Sequence, residues 1–182
     1  MGSRFDDELW ELVPEDPGPS PAQLVSFVRS LGPVAAALDI GCGDGRLTAE
    51  LPATSVTAAD VSTEALRRAR RRVPGARLVE LEPDAPLPFA DGDFELVLCS
   101  ETIEHVRDAQ LMLSELRRVL RPGGELALTT PATRPLVRPA HPLSPHLRRF
   151  TRRSLAALLD VMGFEVSSLR RSSGSLLARA RR

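Results

Sequence analysis

The chain of 182 residues has 42% hydrophobic residues and a formal net charge of zero, and it is long enough to bury one core. Two cysteines exclude a disulfide framework and a four-thiolate zinc site, and no apolar stretch approaches the length of a membrane-spanning helix. The acidic N-terminal residues lack the apolar segment of a secretory signal. We therefore expect a soluble, cytoplasmic protein.

The zero net charge conceals two oppositely charged halves. Every basic residue is an arginine, and residues 1–100 carry 17 acidic residues against 9 arginines, whereas residues 101–182 carry 7 against 15. A basic C-terminal half favours an anionic substrate or partner.

The N-terminal stretch differs from the rest of the chain. Residues 1–21 are acidic and then rich in proline, which predicts a tail or lid with little regular structure. Its large apolar side chains, Phe5, Leu9 and Trp10, are the exceptions and are candidates for docking on another surface, which the sequence does not identify. Residues 22–182 are predicted to form a single domain.

Helix and strand patterns alternate through this domain. Apolar runs predict strands over 34–40, 56–59, 77–81, 94–99 and 126–130. Helical spacing and caps predict helices over 21–31, after Gly45, and over 63–72, 109–120 and 152–162. Five prolines predict a long loop over 131–150, and the runs 164–169 and 175–180 predict a hairpin. This order is typical of an α/β fold, namely a Rossmann-like, doubly wound, mostly parallel sheet with helices on both faces.

A glycine-rich turn follows the first predicted strand. Gly41, Gly43 and Gly45 leave room for a ligand to approach the backbone and the amide groups at the start of the next helix. Arg46 stands where the dinucleotide fingerprint needs glycine, so we expect a nucleoside-containing cofactor without a pyrophosphate. A tight strand-to-helix turn with no ligand is the alternative.

An acidic residue follows the next strand. The carboxylate of Asp60 can accept hydrogen bonds from both hydroxyls of a ribose at this position. A solvated turn residue or a helix cap is the alternative role. Ser62 is better placed to cap the following helix, which favours Asp60 as a ligand-binding residue.

Five features in chain order resemble motifs of the class I S-adenosylmethionine-dependent methyltransferases, in the type 11 or ubiquinone-biosynthesis O-methyltransferase branch. They are residues 38–45, Asp60, residues 87–97, residues 101–106 and residues 116–124. The resemblance covers about residues 22–182 and implies the family's seven-stranded sheet with an antiparallel last strand, in agreement with the C-terminal hairpin. It also implies S-adenosylmethionine as cofactor and S-adenosylhomocysteine as product.

The resemblance further implies roles for single residues. The glycines pass the methionine part of the cofactor, Asp39 lies near its amino group, and Asp60 binds the ribose. On the adenine side, Asp84 is the preferred acid and Glu82 the alternative, while Ser100 sits near the transferring methyl group. The implied cofactor-binding set is Asp39, Gly41, Cys42, Gly43, Gly45, Asp60, Val61, Asp84, Ala85 and Ser100.

Carboxylates and an imidazole follow the fourth predicted strand. If this segment is helical, Glu101, Glu104 and His105 share one face that points into the cofactor cleft. The pattern resembles the E-x-x-E-H metal motif of O-methyltransferases of ubiquinone biosynthesis and of small-RNA 3′-terminal 2′-O-methyltransferases. The RNA enzymes imply His146 as a fourth ligand, with His141 as the alternative. Such a set suits Mg²⁺, Mn²⁺ or Zn²⁺, and a bound divalent cation lowers the pKa of an acceptor hydroxyl.

The same residues can also act without a metal. A hydroxyl acceptor must lose its proton, and His105 is the candidate base, with Glu104 and His146 as the other catalytic candidates. A packing role is the alternative for His105. Glutamates in a first helical turn are also favoured by the helix dipole alone.

We expect O-methylation of a hydroxyl on a small molecule. Four arginines beside the predicted long loop favour an anionic acceptor, a solvated helix start being the alternative; they are Arg148, Arg149, Arg152 and Arg153. RNA 3′-terminal ribose 2′-O-methylation is a second hypothesis, although aromatic residues for base stacking make up only 4% of the chain. A non-catalytic cofactor-binding module that regulates a partner is the third. Without a large inserted substrate domain the cleft is expected to be open, in a monomer or a homodimer whose second subunit closes it.

Overall fold

The computed structural model describes residues 2–133 and 146–182. Its strands are β1 (Val34–Ile40), β2 (Ala53–Asp60), β3 (Arg77–Glu80), β4 (Phe94–Ser100), β5 (Leu120–Pro131), β6 (Glu165–Ser172) and β7 (Ser175–Arg181). Its helices are α1 (Gly2–Leu12), α2 (Ala22–Arg29), α3 (Thr63–Arg72), α4 (Ala109–Val119) and α5 (Arg152–Val161). The predicted His141 and most of the predicted long loop lie outside the described residues.

The strands form one seven-stranded sheet in the order β3-β2-β1-β4-β5-β7-β6. The first five strands in this order are parallel, and β7 runs antiparallel to both β5 and β6. The predicted doubly wound, mostly parallel sheet with a C-terminal antiparallel hairpin is confirmed. Within the described residues, every helix falls short of the length and apolar character that a bilayer crossing demands.

Helices cover both faces of the sheet. Successive residues of a strand point to opposite faces, and the alternation along β4 divides the core accordingly. Leu96 and Leu98 pack in a cluster with α2, whereas Val97 and Cys99 pack in a second cluster with α4 and α5. The helix α3 packs on the same face as α2, over Ala58 of β2. Both faces are therefore buried, as in the predicted fold.

The N-terminal stretch is more regular than the sequence predicts. Residues 1–21 were expected to have little regular structure, but α1 spans eleven of them. Its inward side chains, Leu9, Trp10 and the following Val13, recur at helical spacing and are partly buried. Contacts with α3, described below, stabilise this helix, and such long-range contacts leave no local mark on the composition.

The prediction of a helix after Gly45 is wrong. The segment forms only a three-residue 3₁₀ turn, Thr48–Glu50, because Pro52 follows at once and β2 begins at Ala53. The glycine turn therefore does not open onto the N-terminus of a long helix, and the predicted set of helical amides is not formed.

Candidate active site

The carboxyl ends of β1, β2 and β4 meet at one edge of the sheet. The strand order reverses between β1 and β4, and ligands of such sheets bind in the crevice beside this reversal. A cavity of about 840 Å³ lies there, bounded by the turns after these strands, by α1 and by α4. Its volume is in the range of small-molecule and cofactor sites.

The glycine turn and Asp60 form one hydrogen-bonded unit at this cavity. The amide of Gly43 donates to Oδ2 of Asp60 at 2.8 Å, and the amide of Ser62 donates to Oδ1 at 2.9 Å. Burial raises the pKa of Asp60, and these two amides oppose the rise by stabilising the carboxylate. The Ser62 hydroxyl accepts from the amide of Ala65, so Ser62 caps α3 as predicted. Asp60 is thus fixed at the cavity wall.

Gly41 lies where the turns after β1 and β4 touch. A Cβ atom at this position would lie 2.4 Å from Oγ1 of Thr102, and the backbone φ is +69°. The Thr102 hydroxyl also donates to the carbonyl of Ser100 at 2.9 Å. Both the close approach and the left-handed backbone require glycine here.

The predicted cofactor residues divide into two groups. Six of them line the cavity, namely Gly41, Gly43, Asp60, Val61, Asp84 and Ala85, and the alternative acid Glu82 lines it as well. The other four, Asp39, Cys42, Gly45 and Ser100, are not among the described residues that line it.

Two of the residues outside the cavity wall have structural partners. Oδ2 of Asp39 accepts from the Thr48 hydroxyl at 2.6 Å, and burial raises the pKa of Asp39 to about 7. The hydroxyl of Ser100 shares a hydrogen bond of 2.7 Å with that of Thr129. Asp39 is buried and Ser100 is partly buried, and these contacts hold both side chains within the protein.

The predicted adenine-side acid sits on a strained turn. Asp84 has a φ of +57°, and its carboxylate lies 3.8 Å from the guanidinium of Arg107. This ion pair joins the segment after β3 to the segment after β4 across the cavity. Both side chains are largely exposed, so the pair itself adds little stability.

The segment that carries Glu101, Glu104 and His105 is a turn and not a helix, so the predicted shared helical face is wrong. Glu101 has a φ of +52°, and its Oε1 accepts from the Thr129 hydroxyl at 3.0 Å. Glu101 lines the same cavity as His105, but it is not part of the close group of ligand atoms that Glu104 and His105 form. Of the predicted metal set, Glu101 is therefore the member that the fold separates.

Glu104 is a buried carboxylate, and only one of its two oxygens accepts a hydrogen bond from a described residue. Its Oε2 accepts from the Thr130 hydroxyl at 3.0 Å, while its Oε1 has no hydrogen-bond partner in the described part of the chain. Oε1 lies 3.9 Å from Nε2 of His105, which lines the cavity. Burial, with a contribution from the Glu101 charge, raises the pKa of Glu104 to about 7. This carboxylate can therefore change protonation state near neutral pH.

The structure brings His146, the predicted fourth ligand, next to His105. Its ring is edge-on to that of His105, with centroids 4.9 Å apart, and burial and the charge of Arg149 lower its pKa. One ligand atom from each of Glu104, His105 and His146 lies within 4.8 Å of the others. By donor type, one carboxylate oxygen and two imidazole nitrogens suit a divalent transition metal.

Arg148 binds the turn that carries Glu104 and His105. Its guanidinium donates to the backbone carbonyls of Val106 and Arg107. The backbone amide of Leu147 donates to the backbone carbonyl of Glu104 at 2.8 Å. These bonds dock the segment before α5 on the turn after β4. Arg148 therefore has structural contacts that were not predicted from the sequence, whereas Arg152 and Arg153 lie exposed at the start of α5.

The N-terminal stretch reaches this site as the helix α1, whereas a tail or lid with little regular structure was predicted from the sequence. Asp6, Leu9, Trp10 and Val13 line the same cavity as the glycine turn. The helical spacing of the apolar residues among these positions was the available signal, and it was outweighed by the acidic residues and prolines around them.

Comparison with known proteins agrees with this geometry. Residues 38–128 match the methyltransferase domain family Methyltransf_11. An uncharacterized methyltransferase of Mycobacterium tuberculosis is 40% identical over 98 residues, which is 51% of this chain and 49% of that protein. The demethylmenaquinone methyltransferase of Clavibacter sepedonicus is 39% identical over 147 residues, covering 76% and 54%. The chain spans about half the length of these relatives.

A solved structure with a related fold is 1,6-didemethyltoxoflavin-N1-methyltransferase of Burkholderia thailandensis with bound S-adenosylhomocysteine. It aligns with 98% of this chain and 83% of its own, with a TM-score of 0.70 and 24% identity, and this likeness shows the fold.

The sheet order, the glycine turn and the acid at the end of β2 define a class I methyltransferase of the Rossmann-like type. With the family match, the chain belongs to the S-adenosylmethionine-dependent methyltransferases of the Methyltransf_11 family.

Proposed function

We propose that this protein transfers the methyl group of S-adenosylmethionine to a hydroxyl group of a small molecule. The observation that carries the proposal is the pair formed by His105 and Glu104. His105 lines the cavity, and behind it lies a buried carboxylate whose free oxygen is 3.9 Å from the imidazole. A base supported in this way suits an acceptor that must lose a proton before or during methyl transfer.

S-adenosylmethionine supplies an electrophilic methyl group whose S–C bond breaks as the O–C bond to the acceptor forms. The chain's own task is to align the two reactants and to take the acceptor proton. His105 receives this proton at the cavity wall. Glu104 in its ionised form, which predominates above its raised pKa of about 7, stabilises the imidazolium that forms, because the two groups then carry opposite charges.

The predicted cofactor contacts remain part of this proposal. Asp60 is placed to accept from ribose hydroxyls, since its carboxylate is held at the cavity wall by the amides of Gly43 and Ser62. Asp84 lies further along the same cavity and serves the adenine side. Asp39, buried against Thr48, acts through the shape of the glycine turn.

A ring carbon next to a hydroxyl is a second candidate acceptor atom. The Clavibacter sepedonicus relative is named a demethylmenaquinone methyltransferase, and a quinol is a ring that bears such hydroxyls. Deprotonation of an aromatic hydroxyl makes both its oxygen and the neighbouring carbons nucleophilic. The same base therefore serves either outcome, and the product distinguishes them.

A divalent cation is a second candidate partner of the Glu104, His105 and His146 group. The unpartnered buried oxygen of Glu104 favours it, because such an atom is costly unless it gains a proton, a donor or a cation. A bound cation would supply acidification of the acceptor hydroxyl. Turnover that is lost on adding a chelator and restored by Mn²⁺ or Zn²⁺ supports this role; turnover unchanged by the chelator rejects it.

The test of the proposed function uses methyl-¹³C S-adenosylmethionine with catechol, naphthalene-1,4-diol, 4-hydroxybenzoate and a short RNA oligonucleotide. We expect S-adenosylhomocysteine and a labelled methyl ether with a small acceptor, and a loss of about 100-fold in kcat for His105→Ala. A matched control is Glu165→Gln, an exposed residue at the start of β6. Labelling of the RNA alone contradicts the small-molecule proposal, and cofactor binding with no acceptor in a broad metabolite extract favours a regulatory module.

A further inference from the structure

We infer that α1 is part of the cofactor-binding site and that Trp10 covers the glycine turn, closing the cavity over the ribose side of the cofactor. The inference rests on the proposed S-adenosylmethionine site and adds to it a contact residue from outside the matched family segment, residues 38–128.

The first step is the contact between Trp10 and Gly43. A Cβ atom on Gly43 would lie 2.8 Å from the Trp10 ring, so the indole lies directly on the turn. Trp10 and Asp6 line the same cavity as Gly43 and Asp60. An aromatic ring at this place removes apolar cofactor surface from water and excludes solvent from the reacting centre.

The second step is the attachment of the first half of α1 to the start of α3. The carboxylate of Asp7 accepts from the Ser62 hydroxyl at 2.6 Å, from the Thr63 hydroxyl at 3.0 Å and from the amide of Glu64 at 3.0 Å. A carboxylate at a helix N-terminus also interacts favourably with the helix dipole. Ser62 thereby links α1 to Asp60, whose carboxylate accepts from the Ser62 amide.

The third step is the attachment of the other end of α1. The buried guanidinium of Arg68 donates to the carbonyls of Trp10, Val13 and Pro14 at 2.7, 2.9 and 3.1 Å. It also lies 5.6 Å from the centroid of the Trp10 ring, within the range of a cation–π contact. These bonds join α3 to the last turn of α1, at Trp10, and to the two residues that follow the helix, Val13 and Pro14.

The middle and the C-terminal end of α1 are therefore held by α3, the helix that follows Asp60. The contacts are polar and directional, and they fix the position of Trp10 across the cavity from the turn after β4. The buried Arg68 donates three hydrogen bonds to this segment, and the carboxylate of Asp7 accepts three from the start of α3. The cavity is thus closed on one side by a helix that lies outside the matched family segment.

Tryptophan fluorescence of the full chain tests this placement, because Trp10 is the sole tryptophan. We expect addition of S-adenosylhomocysteine to change its emission along a binding curve that gives the same Kd as calorimetry. Calorimetric binding with unchanged emission overturns the inference. Absence of calorimetric binding to the unmodified protein contradicts the proposed function instead, so the two failures are distinguishable.

Substitutions of Trp10 test how much its side chain contributes to the affinity for S-adenosylhomocysteine. Trp10→Ala is expected to raise the Kd for S-adenosylhomocysteine about tenfold, the loss of a buried aromatic contact, and Trp10→Phe to restore most of it. The matched control is Phe5→Ala, which removes an exposed aromatic from the same helix outside the cavity wall. Trp10→Ala with unchanged Kd and an unchanged circular dichroism spectrum overturns the inference.

Asp7→Asn provides a second route if Trp10→Ala does not fold. This variant removes the charge that attaches α1 to α3, with Glu11→Gln as the exposed, same-charge control. A rise in Kd for Asp7→Asn but not for Glu11→Gln supports the inference, and equal Kd values in both overturn it.

Discussion

The hydroxyl of Thr130 donates to Oε2 of Glu104 at 3.0 Å, at the point where β5 passes behind the turn after β4. This bond holds the carboxylate in one orientation and leaves the buried Oε1 without a hydrogen-bond partner among the described residues. Because the pKa of Glu104 is raised to about 7, the group is half-protonated near neutral pH. Ionisation of this buried carboxylate lowers the stability of the fold, but the ionised form can stabilise a positive charge on the neighbouring imidazole of His105.

Glu104→Gln is expected to lower kcat by about 100-fold while the Kd for S-adenosylhomocysteine stays within about twofold, because His105 loses its supporting charge and the cofactor contacts do not change. Steady-state kinetics and calorimetry on the same preparation measure both. A proportionate loss of cofactor affinity contradicts the assigned role.

The same substitution is expected to alter the pH dependence of stability. The pKa of Glu104 is raised in the fold, so the folded protein holds this proton more tightly, and the resulting stabilisation is complete below about pH 4.5 and lost as pH rises through about 7. Glu104→Gln cannot ionise, and its Tm at pH 8 should exceed that of the unmodified protein by about 5 °C. The raised pKa of Asp39 also makes the stability fall as pH rises, and Asp39→Asn removes this second contribution. A lower Tm for Glu104→Gln at pH 8 contradicts the inferred cost of ionisation.

Arg148→Met is expected to reduce kcat about tenfold with little change in cofactor affinity, because the turn that carries Glu104 and His105 loses its guanidinium donor. Arg148→Lys should recover part of the rate. Arg153→Met, an exposed arginine at the start of α5, is the control and should leave kcat unchanged. Equal rates for Arg148→Met and the control reject the positioning role.

Two glycines give a matched pair for stability. Gly41→Ala places a Cβ atom 2.4 Å from Thr102 and requires a φ of +69°, so the free energy of unfolding should fall by about 3 kcal/mol. Gly32→Ala meets no atom within 4 Å and should change it by less than about 0.5 kcal/mol. Urea denaturation of both variants measures the difference, and similar midpoints refute the close contact between the two turns.

Asp60 is expected to dominate cofactor affinity. Asp60→Ala should raise the Kd for S-adenosylhomocysteine at least about 50-fold, because it removes both the ribose acceptor and the acceptor of the Gly43 and Ser62 amides. Asp60→Asn keeps a carbonyl oxygen and should lose less. An unchanged Kd for S-adenosylhomocysteine in Asp60→Ala would show that Asp60 does not bind the ribose.

Features with strong local signals were predictable from the sequence. The bounds of β1 coincide with the apolar run from Val34 to Ile40, and the cap and the bounds of α3 follow from Ser62 and the proline–glycine pair after the helix. The glycine turn and Asp60 were recognised because their spacing repeats that of a family. Such signals lie within a few residues, so tertiary contacts do not override them.

Features that depend on distant contacts were not predictable. The helix α1 depends on Arg68, more than fifty residues away, and the failure of the helix after Gly45 depends on how soon β2 must begin. Glu101 has a left-handed backbone in the turn after β4 and is not part of the group that contains Glu104 and His105, and no residue type at this position signals that turn. His146, by contrast, was placed with the group through a resemblance and not through its local sequence.

The most direct test is isothermal titration of the full chain with S-adenosylmethionine and, separately, with S-adenosylhomocysteine. The account predicts saturable binding of one equivalent of each ligand, with affinity weakened in Asp60→Ala. No heat of binding from either ligand, in a preparation shown to be folded by circular dichroism, would contradict it.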